Sequence, residues 1–72
     1  MLEQENNEML IIQQEKLLHE LKKAVINFQN AQHKLDTSDD QELVDYLIYN
    51  YLAAERRYVY LLQEYKKLYY NY

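Results

Sequence analysis

His19 and His33, the acids Asp36, Asp39, Asp40, Glu42 and Asp45, and the tyrosines around Arg56 and Arg57 are the residues whose types and spacing could do chemistry. The two histidines fall on one outward row of a helix, where a separation of fourteen residues amounts to about 21 Å. They do not share a metal. His19 has Glu15 and Lys23 one turn away, the ordinary pattern of a charged surface helix, and the chain has no cysteine to complete a ligand set. A calcium loop needs alternating oxygen ligands and a mid-loop glycine; the acid cluster has neither. With no basic residue between Lys34 and Arg56, those acids suit the positive end of a helix dipole instead.

Tyrosines beside paired arginines can stack on single-stranded bases. The formal charge of −4 opposes the phosphate contacts that such binding needs, and it is evenly spread, six acids against four basic residues in each half of the chain. Neither nucleic acid nor an anionic membrane surface is therefore expected as a partner. No nucleophile is paired with a base, and a chain without glycine forms no phosphate-cradling loop. The residues specify no catalytic site, no cofactor and no metal, and an enzyme is not expected.

The elements that carry these residues are legible from periodicity. Val44, Leu47, Tyr51, Ala54, Tyr58, Leu61, Tyr65, Leu68 and Tyr72 recur at alternating steps of three and four, the stripe of one long helix. Leu10, Leu17, Leu21, Ala24, Phe28, Ala31 and Leu35 form a second such row, interrupted by Gln14 and widened on one flank by Ile11, Leu18 and Val25. Between the rows lies Asp36-Thr37-Ser38-Asp39-Asp40, residues that bond to nearby backbone and favour caps over helix interiors. Ser38 with Gln41 fits a capping box. The chain thus reads as one domain of the all-α class, an antiparallel two-helix hairpin with helix one over about 3–35, a turn at 36–39 and helix two over about 40–70. If Leu35 faces Val44, the register pairs Phe28 with Tyr51, Leu21 with Tyr58, Gln14 with Tyr65 and Asn7 with Tyr72, and the last two pairs give phenols polar partners. Ala24 and Ala54 mark the expected close approach of the two backbones.

The positions of helix two that face away from helix one ought to be charged, yet Tyr46, Tyr49, Leu52, Ala53, Val59 and Tyr60 occupy them around a single Arg56. The flank Asn50, Arg57, Glu64 and Asn71 is polar, and Ile12 and Ile26 echo the apolar back on helix one. Amphipathic tyrosine is tolerated on surfaces, but clustering of this kind marks an association surface, and Tyr and Arg are enriched at interface centres. The expected function is protein–protein association through this outer face, as a homodimer pairing two hairpins into a four-helix bundle or with a foreign protein partner, in a structural or adaptor role. A hairpin of this size has little core of its own. The start of the chain, with an acidic leader and only Met9 to Ile12 as an apolar cluster, matches neither a signal peptide nor a membrane span. A cytoplasmic site is expected.

The stretch Leu43 to Lys67 resembles the YaaL-like family of short uncharacterised proteins from Gram-positive bacteria, through Ala53-Ala54-Glu55, Arg57-Tyr58, Tyr60-Leu61-Leu62 and Glu64 to Lys67. Leu18 to Leu35 agrees more loosely, and Tyr65 stands where a small residue is expected. The resemblance implies the hairpin and carries no activity or site residues with it. Asp40-Gln41-Glu42-Leu43 with Leu47-Ile48 is similar to the second helix of the small hairpin phosphatases that act on the aspartyl phosphate of sporulation response regulators. Their Ser-Gln-Glu-Leu-Asp motif has its Ser replaced by Asp40 and its terminal Asp by Val44, which argues against that activity here and leaves it as an alternative, beside that of a nucleic-acid accessory protein.

Overall fold

The computed structural model describes residues 2–70, with side-chain surroundings over residues 8–69. It consists of two helices packed along their lengths, α1 (Leu2–Thr37, 36 residues) and α2 (Gln41–Tyr70, 30 residues), with no strand among the described residues. The absence of Gly and Pro leaves nothing to break either helix. α1 continues two residues beyond the expected end because the Thr37 hydroxyl donates back to the His33 carbonyl at 2.8 Å, holding the last turn closed.

Three residues, 38–40, reverse the chain, and none of the described residues takes a positive φ. The cap differs from the expected one. Asp40, rather than Ser38, is the N-cap of α2: its Oδ1 accepts the Glu42 N–H at 2.9 Å and its carbonyl accepts the Leu43 N–H at 3.1 Å. Ser38 Oγ accepts the Asp40 N–H at 3.3 Å and so braces the turn before the helix begins. Both residue types cap well; α2 starts at Gln41, which puts the cap position at Asp40 and leaves Ser38 outside the helix.

The helices are antiparallel. Phe28 lies 5.2 Å from Tyr51 and 5.8 Å from Tyr58 between ring centroids, so one phenylalanine on α1 bridges two turns of α2. Farther from the turn, Gln14 donates its side-chain amide to the Leu68 carbonyl at 3.3 Å. This corrects its expected pairing with the Tyr65 phenol: Tyr65 stacks on Tyr69 at 6.0 Å instead, and Gln14 reaches past it to the end of the helix ladder, where carbonyls lack intrahelical partners. Asn71 and Tyr72 lie outside the described residues and the side chain of Asn7 outside the described surroundings, so the expected pair of Asn7 and Tyr72 falls outside the description.

Leu21, Ala24 and Leu61 are buried, and Leu17, Tyr58, Leu62 and Tyr65 pack around them half-buried. The close approach is therefore at Ala24, only 2 % exposed, against Leu61. Ala54 is half-buried on the rim of an open groove of about 270 Å³ lined also by Asn27, Asn30, Lys34, Leu47 and Asn50. The molecule is a rod of 60 × 16 × 13 Å with a radius of gyration of 16.9 Å. A compact chain of this length has a radius near 11 Å. Its accessible surface, 6294 Å², likewise exceeds the roughly 4,800 Å² typical of a compact monomer of 8.9 kDa. A hairpin two helices wide has a seam and no interior.

Candidate interaction surface

Steps of seven residues, two helical turns, set three parallel rows on the back of α2: Tyr46, Ala53 and Tyr60; Tyr49 and Arg56; Leu52 and Val59. The seam residues Val44, Leu47, Tyr51, Ala54, Tyr58, Leu61, Tyr65 and Leu68 are all buried or half-buried toward α1, which turns these rows outward. Every residue of the expected patch is exposed, with Tyr49 at 79 %, Tyr46 at 63 % and Tyr60 at 60 %. Ile12 and Ile26 are exposed on α1 as well, in the row that also holds His19 and His33.

The two arginines part company. Arg57 turns to the flank of the seam and pairs with Glu20 of α1 at 3.4 Å, Glu20 in turn lying 4.0 Å from Lys23. Arg56 stays among the outer tyrosines with no hydrogen bond or ion pair among the described residues. The back of α2 therefore presents phenol donors and a single uncompensated guanidinium on an apolar ground. That composition suits a partner surface offering an apolar ridge with a carboxylate or carbonyl for Arg56.

His19 and His33 are exposed, and no three His, Cys, Asp or Glu side chains converge among the described residues. Asp36, Asp39 and Asp45 are exposed around the turn while Asp40 caps α2, so the acid cluster serves the helix start. Val44, at the position where the phosphatase motif ends in an acid, is half-buried on the seam. No helix among the described residues is long and apolar enough to cross a membrane.

A set of residues that the outward rows do not include also stands open. Ile48 and Tyr69 are exposed and Leu62 is half-buried on the flank of α2 opposite Arg57. Their seven-residue spacing is visible in the sequence, but only the packing shows what lies beside them. Comparison with protein-family models, with curated proteins and with solved structures yields no match, so the likeness noted for Leu43 to Lys67 rests on those residues alone.

Proposed function

We propose that this protein works by binding another protein chain through the outer face of α2, as a structural or adaptor module without catalysis. The observation that carries the reading is the cluster of Tyr46, Tyr49 and Tyr60 around an Arg56 that has no hydrogen-bond or ion-pair partner among the described residues. Exposed clusters of large apolar side chains mark interaction sites, and Tyr and Arg supply most of the binding energy where they sit centrally. A phosphatase-like regulator is disfavoured by Val44, whose side chain packs toward α1 where an acid would have to face a partner. Base stacking is disfavoured by Arg57, already committed to Glu20.

The test is affinity capture from cytoplasm with the full chain and with a Tyr46→Lys, Tyr49→Lys, Tyr60→Lys variant of equal helicity. A protein retained in stoichiometric amount by the native chain and lost from the variant is the expected result. Identical retention by both, or retention by neither, overturns the assignment of this face.

A further inference from the structure

The Glu20–Arg57 pair reports which flanks of the two helices share a side of the hairpin. On that side Gln13, Glu20 and Asn27 of α1 run beside Asn50, Arg57 and Glu64 of α2, each row stepping by seven, and every one of these residues is polar. The remaining flanks must share the opposite side. There Ile11, Leu18 and Val25 of α1 run beside Ile48, Leu62 and Tyr69 of α2, interrupted by Glu55. Ile11, Ile48 and Tyr69 are exposed, and Leu52 and Val59 extend the apolar surface around the edge of α2. The hairpin thus has one polar and one apolar broad side, and the apolar one is built from both helices.

We propose that a second copy of this chain covers the apolar broad side, making a two-fold four-helix bundle with both turns at the same end. The goal differs from that of the tyrosine face, which this arrangement leaves outward and available. Area supports the occupant: the chain exposes about 1,500 Å² more than a compact monomer of its mass, and a standard interface takes about 800 Å² from each partner. Matching seven-residue rows on both helices are the packing pattern of bundles. Charge decides the orientation. With the two-fold axis along the rod, α1 of one copy lies on α2 of the other, and the register set by Phe28 and Tyr51 puts Glu15 beside the partner's Lys66 and Lys22 beside the partner's Glu55. None of these four side chains has an ion pair among the described residues. End-for-end pairing would instead bring the two Glu55 carboxylates together near the axis.

Three variants of the full chain test this by sedimentation equilibrium and circular dichroism. Ile11→Lys with Ile48→Lys changes two side chains that are exposed in the hairpin and lowers the net negative charge, so helicity should persist while the dimer dissociation constant rises about a hundredfold. The triple tyrosine variant should shift that constant by less than about fivefold, because its residues stay outside the bundle. Because the chain has no cysteine, Asp39→Cys takes a single spin label at the exposed turn. Two labels on neighbouring turns should lie within about 30 Å given helix spacings near 10 Å, whereas opposed turns would separate them by nearly the 60 Å length of the rod. A native chain monomeric up to about millimolar, a dimer indifferent to the double isoleucine change, a dimer broken by the tyrosine change alone, or a long label distance each overturns the proposal. The capture experiment on the tyrosine face reads out independently of all four.

Discussion

Asp40 shows how one side chain can set where a helix begins. Its carboxylate accepts the Glu42 N–H and its carbonyl the Leu43 N–H, satisfying donors that the first turn of α2 would otherwise leave open. Asp40→Ala should therefore lower stability by about 1 kcal/mol in urea titration, and Ser38→Ala, which removes one 3.3 Å bond in the exposed turn, by appreciably less. Equal effects would return the cap to Ser38. The Glu20–Arg57 pair ranks lower still. Its side chains are 36 % and 60 % exposed, so a double-mutant cycle should give a coupling below about 1 kcal/mol. The sequence located the cap to within two residues and missed which one, because Ser and Asp cap almost equally well and the backbone of the turn decides between them. Gln14 was legible as the polar break in a seam; its acceptor was not, since a flexible amide finds the nearest open carbonyl, here that of Leu68.

At the scale of the elements, the three-and-four spacing made both seams readable, and the ring of Phe28 against Tyr51 lies at the register that spacing implies. Small residues were less informative. Ala24 and Ala54 look alike in sequence, but Ala24 is sealed against Leu21 and Leu61 while Ala54 edges an open groove containing Lys34 and three asparagines. Ala24→Glu should bury an unpaired carboxylate and cost several kcal/mol, about enough to abolish cooperative melting in a hairpin this small. Ala54→Glu should be milder, because its carboxylate can turn out into the groove toward Lys34. Leu61→Ala, in the buried cluster, should cost about 2 to 4 kcal/mol. Comparable melting of the two Ala→Glu variants would place the close approach elsewhere along the seam. The apolar broad side was hidden for a different reason: its two halves belong to different helices, and their adjacency follows only once the Glu20–Arg57 pair fixes which flanks meet.

For the whole molecule, shape and surface point the same way. A rod of 60 × 16 × 13 Å with three buried side chains among the described residues gains little from hydrophobic burial inside one chain, yet ordering its backbone carries the same entropy cost per residue as in any domain. In the proposed pairing, surface covered by association supplies much of the stability, and association makes melting depend on concentration. Unfolding enthalpies near 0.7 kcal/mol per residue give a dimer of this chain about 100 kcal/mol. That enthalpy corresponds to a fall of about 5 °C in Tm for each tenfold dilution. Circular dichroism melts from about 1 µM to 1 mM should accordingly span about 15 °C for the native chain and for the triple tyrosine variant. The Ile11→Lys, Ile48→Lys variant should melt lower than the native chain at every concentration and lose the dilution dependence wherever it is monomeric, since a monomer's midpoint does not respond to dilution. A native chain whose Tm stays constant over the same thousandfold range would mean that the seam between α1 and α2 suffices alone, and that the apolar broad side is not where its stability originates.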